Sequence, residues 1–126
     1  MKTIRQTIAL VLLFTAISMS AQTAKSRIKA YYFHFTARCV TCQTVEAEAR
    51  KNLKDLAGKD VVLQSVNLDE PAGEALAKKL DVSTQTLLLV NGAKKINITN
   101  EGFMYARSNP AKFRAVMQKK IAELNK

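Results

Sequence analysis

A chain of 126 residues, 48% of them hydrophobic and 24% charged, has the length and composition of a single small globular domain. Its formal net charge is +10, but the Lys and Arg residues are spread along the chain and form no long basic block. Without aromatic residues interleaved among the basic ones, this pattern argues against nucleic-acid binding and allows at most weak contact with an anionic membrane surface.

The start of the chain predicts a secretory signal peptide. Lys2 and Arg5 form a basic beginning, residues 8–17 are an uncharged apolar run, and the small residues that follow favour cleavage just before Ala21 or Gln22. This apolar run is too short to cross a bilayer as a helix, which takes about 20 residues.

We therefore predict three segments: a signal peptide at residues 1–21, a short polar lead at residues 22–29 and one domain at residues 30–126. The mature protein is expected to be periplasmic or secreted. Such compartments are oxidising, so a pair of cysteines can serve there as a disulfide.

The first two elements of the domain flank the only two cysteines of the chain. Residues 30–36 are almost continuously apolar and predict a strand buried on both faces, as at the centre of a covered sheet. A helix is predicted from Cys39 or Val40 to Ala57, ended by Gly58. Its apolar stripe comprises Cys42, Val45, Ala49, Leu53 and Leu56.

The rest of the chain continues the alternation of strands and helices. Strands are predicted at residues 61–68, 86–90 and 94–99, and helices at residues 72–80 and 110–124. Asn91-Gly92 indicates a hairpin turn, and Asn109 followed by Pro110 indicates the start of the last helix. Residues 103–108 fit neither pattern. The core positions predicted for the two helices are Leu76, Leu80, Phe113, Met117, Ile121 and Leu124.

The resulting order of elements is β-α-β-α-β-β-α. A strand–helix–strand beginning implies a parallel pair of strands with a right-handed crossover, and the late hairpin adds an antiparallel pair. We therefore predict an α/β fold with a mixed four-stranded sheet and helices on both faces.

The motif Cys39-Val40-Thr41-Cys42 lies where the first strand ends and the first helix begins. Free backbone N–H groups and the positive end of the helix dipole favour a thiolate there, which lowers a cysteine's pKa and raises its reactivity. A structural disulfide across so short a loop stabilises little. The spacing therefore favours redox chemistry over an inert disulfide or a metal site, since zinc takes four ligands. We expect no metal and no cofactor.

Residues 31–42 and 66–92 carry a resemblance to the thioredoxin superfamily, which extends over about residues 29–126. Residues 31–42 are also similar to a group of bacterial exported thioredoxin-like proteins. The resemblance implies a trimmed thioredoxin-like fold, because too few residues precede Ala30 for the family's additional N-terminal strand and helix.

The expected chemistry is thiol–disulfide exchange, with Cys39 as the attacking thiol and Cys42 as the resolving thiol. The candidate substrate groove comprises Arg38, Val40, Thr41, Thr84, Gln85 and Thr86. His34, the only histidine, is interpreted as a strand residue with satisfied hydrogen bonds and not as a ligand or a base.

Three positions depart from the family's pattern. Gln85 stands where the family has a cis-proline, and its peptide bond is expected to be trans. Arg38 replaces an aromatic residue just before the first cysteine, and Phe33 replaces a buried acid six residues before it. Proton transfer to and from Cys42 then needs another group or water.

These observations favour an enzyme, an exported thiol–disulfide oxidoreductase. Its partners would be exported protein thiols or disulfides and a membrane redox partner. A thioredoxin-like accessory or binding subunit, whose cysteines hold a partner or a metal, is the alternative.

Overall fold

The computed structural model describes residues 27–126; the predicted signal peptide and most of the polar lead lie outside the described residues. The elements are β1 (Lys29–His34), α1 (Val40–Leu56), β2 (Leu63–Asn67), α2 (Pro71–Leu80), β3 (Thr86–Asn91), β4 (Lys94–Asn97), α3 (Thr99–Tyr105) and α4 (Pro110–Leu124). None of the helices in this part of the chain is long and apolar enough to span a membrane.

The four strands form one mixed sheet in the order β2-β1-β3-β4. β1 pairs in parallel with β2 and antiparallel with β3, and β3 pairs antiparallel with β4. Parallel neighbours need a crossover connection, and α1 provides it between β1 and β2. The predicted mixed four-stranded sheet is confirmed, with β1 at its centre.

The central strand β1 is buried on both faces because its side chains alternate between two apolar clusters. Ala30 and Tyr32 belong to the cluster under α1 and α4, whereas Tyr31 and Phe33 belong to the cluster under α2. This alternation explains why the strand has an almost continuous apolar sequence, and it confirms the prediction of helices on both faces.

The helices cover the two faces unequally. On one face, α1 and α4 contribute fully buried side chains such as Leu53, Phe113 and Met117. On the other face, α2 lies close to the sheet and its buried residues are Gly73 and Ala77. The predicted core residues of α2, Leu76 and Leu80, are only half-buried at the edge of that cluster.

The predicted turn and cap signals are confirmed. Asn91 pairs with Lys94 across the β3–β4 hairpin, and Gly92 has a left-handed φ of +60°. At the start of α4, the Asn109 side chain accepts a hydrogen bond from the backbone N–H of Lys112.

The segment after β4 differs from the prediction. The edge strand ends at Asn97 and not at residue 99, because the Asn97 side chain accepts hydrogen bonds from both the backbone N–H and the hydroxyl of Thr99. The chain turns there into the short helix α3, which includes part of the ambiguous residues 103–108.

Gly73 marks the closest approach of α2 to the sheet, since a Cβ atom there would overlap the backbone oxygen of Asn67. Alanine for glycine inside a helix normally stabilises, but we expect Gly73→Ala to destabilise by roughly 1–3 kcal/mol, the usual cost of overpacking. Urea unfolding followed by circular dichroism measures the change.

Gly102→Ala in α3 is the matched control. Its added Cβ would meet the Val45 Cγ1 methyl at 3.0 Å, and a side chain can move aside more easily than a backbone. We therefore expect Gly102→Ala to lose less stability than Gly73→Ala. A Gly73→Ala protein at least as stable as the wild type would contradict the close packing of α2.

Candidate redox site

The two cysteines form a disulfide at the start of α1. Cys39 is the N-cap residue and is exposed, whereas Cys42 lies inside the first turn and is only 7% exposed. Their Cα atoms are 5.2 Å apart, which is within the usual range for a disulfide. The predicted position of the pair, between the first strand and the first helix, is confirmed.

The sulfur of Cys39 accepts the N-cap hydrogen bond that a side-chain oxygen usually accepts at a helix N-terminus. The backbone N–H of Cys42 donates to Cys39 Sγ at 3.2 Å. When the disulfide opens, a thiolate at Cys39 receives this hydrogen bond and lies at the positive end of the helix dipole. The geometry therefore stabilises the charged, reactive form of this sulfur.

Beneath Cys42, two polar side chains form a connected set of contacts. The Tyr32 hydroxyl donates to the backbone oxygen of Cys42 at 3.0 Å, and Gln85 Nε2 donates to Tyr32 Oη at 2.7 Å. The other end of the same amide, Gln85 Oε1, lies 3.8 Å from Cys42 Sγ. Gln85 therefore joins the segment before β3 to both β1 and the disulfide.

Burial raises the pKa of Tyr32 above its usual value, although the hydrogen bond from Gln85 and the positive charge of Arg38 act in the opposite direction. The Tyr32 hydroxyl thus keeps its proton throughout the neutral range. The Arg38 guanidinium carbon lies 5.8 Å from the centre of the Tyr32 ring, within reach of a cation–π interaction.

Arg38 also forms an ion pair with Glu46 of α1. The other oxygen of Glu46 accepts from Arg50 at 2.9 Å, and Arg50 donates in turn to the backbone oxygen of Leu63 in β2. Glu46 therefore offsets part of the positive charge that Arg38 brings to the start of α1. Neither Glu46 nor Tyr32 was among the candidate site residues. Tyr32 reaches the site only through the packing of α1 on β1, whereas Glu46 lies one helical turn after Cys42.

Comparison with known proteins identifies the fold of the chain. No protein-family model and no curated protein matches the chain. Among solved structures, oxidised thioredoxin O2 from Arabidopsis thaliana matches with a TM-score of 0.51 and 22% identity, over 75% of this chain and 75% of that chain. The chain has a thioredoxin-like fold.

Two further solved structures overlap less well. Oxidised mitochondrial thioredoxin 3 from Saccharomyces cerevisiae is 21% identical over 79% of this chain and 81% of that chain, with a TM-score of 0.49. A malarial protein is 29% identical over 54% of this chain and 73% of that chain, with a TM-score of 0.42. A close cysteine pair in a thioredoxin-like fold is suited to thiol–disulfide redox chemistry in general.

In this thioredoxin-like fold, the side chain beneath Cys42 comes from Tyr32 and not from Phe33. Counting six residues back from Cys39 selects Phe33, but that side chain packs on the opposite face of the sheet with Val66. A shift of one residue along a strand exchanges the two faces. The side chain six residues before Cys39 therefore lies on the face of the sheet away from α1, and the adjacent Tyr32 contacts the Cys42 backbone.

The three predicted groove residues at and before the start of β3 do not share one surface. Gln85 faces the disulfide, and the peptide bonds of the described residues, including the one before Gln85, are trans as expected. Thr84 and Thr86 instead line a hollow of about 340 Å³ that neither cysteine lines, with Leu88 and Lys95.

The remaining predicted groove residues lie at or before the start of α1. Val40 is 65% exposed, Thr41 is half-buried, and Arg38 is held by Glu46 as described. A shallow groove of about 660 Å³ runs along α1 and includes Arg38, but neither cysteine lines it.

His34 has partners on both ring nitrogens, as interpreted from the sequence. Nδ1 lies 2.9 Å from the backbone oxygen of Phe35, which can only accept, so Nδ1 carries a proton. Nε2 lies 2.9 Å from the hydroxyl oxygen of Ser65 on β2. Across residues 27–126, no group of three or more His, Cys, Asp or Glu side chains lies together as a metal site requires.

The loop before Cys39 is tied to the loop after β2. The backbone N–H of Thr36 donates to Asp69 Oδ2 at 2.7 Å, and Asn67 Nδ2 donates to the Thr36 hydroxyl at 3.0 Å. The backbone N–H of Thr36, followed by its hydroxyl, lowers the pKa of Asp69. The ionised Asp69 therefore helps to hold the chain that leads into the disulfide.

Because folding lowers the pKa of Asp69, its carboxylate stabilises the protein above the pKa of an unfolded aspartate, about 3.9. This contribution is lost as the pH falls through the lower pKa of the folded state. We expect Asp69→Asn to have a lower Tm than the wild type at pH 6, with the difference shrinking as the pH approaches 3. Glu48→Gln removes a negative charge elsewhere and serves as the control; a pH-independent effect of Asp69→Asn would contradict the assignment.

Proposed function

We propose that the protein is an exported thiol–disulfide oxidoreductase that acts through Cys39 and Cys42. The observation that carries the proposal is the disulfide at the N-terminus of α1, with one sulfur exposed and the other buried. A partner can reach the exposed sulfur. The buried sulfur can re-form the disulfide without being accessible to other thiols.

In the reducing direction, the Cys39 thiolate attacks one sulfur of a partner's disulfide. A bond forms between Cys39 Sγ and that sulfur, and the partner's other sulfur leaves as a thiolate and takes up a proton. Cys42 then gives its proton to water and attacks Cys39 Sγ, which releases the partner's second thiolate. Two electrons pass from the cysteine pair to the partner, and the reverse sequence forms a disulfide in the partner.

Exposed apolar side chains on either side of Cys39 in the chain support a protein as the partner. Phe35 is 41% exposed and Val40 is 65% exposed, and these residues lie before and after Cys39 in the chain. Exposed apolar side chains around a reactive atom can form the centre of a transient protein interface. We infer that exported proteins bind there through the apolar residues beside their own cysteines.

Export and renewal of the cysteine pair belong to the same proposal. The apolar run at residues 8–17 and the small residues after it support secretion. Outside the cytoplasm, the pair must exchange two electrons with another molecule after each turnover. We infer that a membrane redox partner carries out this exchange.

Cys42→Ser is the direct test of the exchange reaction. Without the second thiol, the adduct on Cys39 cannot be resolved, so the full chain should accumulate a mixed disulfide with a disulfide-bonded model protein. Non-reducing electrophoresis and mass spectrometry detect and locate the adduct. Cys39→Ser is the matched control and should form far less, because Cys42 is buried.

Three results would each count against an oxidoreductase. They are the absence of any adduct in Cys42→Ser, equal amounts of adduct in the two variants, and a wild-type disulfide that stays closed in excess dithiothreitol.

Export is tested by expressing the full chain in a bacterium that has a periplasm. We expect the protein in the periplasmic fraction with Ala21 or Gln22 as its first residue, read by mass spectrometry. Leu12→Arg introduces a charge into the apolar run and should leave an unprocessed chain in the cytoplasm, whereas Leu12→Ile should be exported. An intact wild-type chain found only in the cytoplasm would show that the export proposal is wrong.

A further inference from the structure

Three groups close a ring around the buried sulfur: the Tyr32 hydroxyl, the Gln85 amide, and Cys42 with its backbone oxygen and its Sγ. The distances are 3.0 Å from Tyr32 Oη to the Cys42 oxygen, 2.7 Å from Gln85 Nε2 to Tyr32 Oη, and 3.8 Å from Gln85 Oε1 to Cys42 Sγ. Tyr32 is fully buried and Gln85 is half-buried, so protein contacts largely replace water around this ring.

The hydrogens of the ring have only one consistent arrangement. The backbone oxygen of Cys42 can only accept, so it receives the single proton of the Tyr32 hydroxyl. Tyr32 Oη then has only lone pairs to offer, and Gln85 must present its N–H to it. This orientation turns Gln85 Oε1, an atom without hydrogen, toward Cys42 Sγ.

We propose that Gln85, oriented by Tyr32, keeps Cys42 as a neutral thiol in the reduced protein and so leaves the negative charge of the pair on Cys39. The S–H group of Cys42 can donate to Gln85 Oε1, whereas a thiolate in the same place faces a lone pair and is disfavoured. Gln85 is the direct partner of the sulfur, and Tyr32 is a positioning residue.

This inference rests on the proposed exchange reaction and deepens it. In the proposed mechanism Cys39 attacks while Cys42 keeps its proton. The N-cap hydrogen bond from the Cys42 N–H favours a thiolate at Cys39, but the helix dipole acts on both sulfurs of the first turn. The Gln85 amide distinguishes the two sulfurs, because its oxygen faces only Cys42.

The charged and titratable groups near Cys42 leave this preference in place. Arg38, from the loop before α1, lies over the Tyr32 ring, and its guanidinium is bound by Glu46 of α1. Glu46 stands one turn beyond Cys42 and pairs with both Arg38 and Arg50, so its negative charge is compensated within these ion pairs. His34 of β1 lies beside the Tyr32 ring, with 6.1 Å between the ring centres.

The test uses Cys39→Ser as the background, because Cys42 is then the only thiol of the chain. The rate of alkylation by iodoacetamide, measured against pH, gives the midpoint at which the Cys42 thiolate forms. Adding Tyr32→Phe keeps the ring but frees the amide to turn its N–H toward the sulfur. The midpoint should fall by about one pH unit, which corresponds to about tenfold more Cys42 thiolate at neutral pH than in Cys39→Ser alone.

Tyr31→Phe is the matched control for this change. Its ring packs on the opposite face of the sheet, so the midpoint should not move. A merely structural role for Tyr32 predicts no fall in the midpoint, since phenylalanine fills the same space without opening the site. Circular dichroism of each variant checks that the fold is kept.

Gln85→Ala in the same background should lower the midpoint by about half a pH unit, because the acceptor is lost and no donor replaces it. Gln64→Ala, at an exposed position of β2, is the control. Adding Tyr32→Phe to Gln85→Ala should bring no further fall, since Tyr32 acts through Gln85.

Lower midpoints in both single variants, with no further fall on combining them, support the proposal. An unchanged or higher midpoint in Tyr32→Phe, or a further fall in the combined variant, overturns it. If Tyr32→Phe does not fold, an unchanged or higher midpoint in Gln85→Ala overturns it instead. The alkylation test needs no partner protein, so its result is independent of the trapping test. This inference can fail while Cys42→Ser still traps mixed disulfides, and the trapping can fail while the midpoints shift as expected.

Discussion

The rest of the structure depends on one strand that is paired on both edges and buried on both faces. β1 has β2 on one side and β3 on the other, and its side chains enter two separate apolar clusters. A four-residue loop joins its carboxyl end to Cys39, so the disulfide lies beyond the carboxyl end of the central strand, where α1 begins. The same strand carries Tyr32 under α1, which is why a hydroxyl lies within reach of the Cys42 backbone.

Two of the three departures from the pattern that the resemblance implies, Arg38 and Gln85, are connected in space through Tyr32. Arg38 is matched by Glu46, so the charge before the first cysteine belongs to an ion pair between the loop and α1. Gln85 is matched by Tyr32, so the segment that faces the disulfide is joined to β1 by a hydrogen bond. A buried charge that lacks a partner is costly. Neutral hydrogen-bonding groups under Cys42 avoid that cost and can still distinguish a thiol from a thiolate.

The site is held from a second direction by the loop after β2. Asp69 and Asn67 bind Thr36, which lies three residues before Cys39. The loop before the cysteines therefore does not depend on the disulfide alone for its position. Neither cysteine takes part in these hydrogen bonds, so they do not require the disulfide to be closed.

The sequence by itself determined the order of the four strands and of every helix except α3, the central buried strand and the position of the cysteines at a helix start. These features depend on local patterns: a continuous apolar run, a helical stripe, Asn91-Gly92 and Asn109-Pro110. Local patterns also explain what was misjudged. The edge strand ended at Asn97 because a side chain, and not the apolar alternation, decided where the chain turned. Leu76 and Leu80 were predicted as core residues, but the close approach of α2 at Gly73 leaves them at the rim.

Only the tertiary structure decided that Tyr32 meets Cys42, whereas Gln85 was already expected near the cysteines from the resemblance. Tyr32 precedes Cys42 by ten residues and Gln85 follows it by more than forty, so no local spacing joins them. Counting back from Cys39 led to Phe33, because a count along the chain does not show which face of the strand a side chain takes. The sheet pairing and the packing of α1 assign those faces. They bring Tyr32 and Gln85 together under Cys42 and take Phe33, Thr84 and Thr86 away from it.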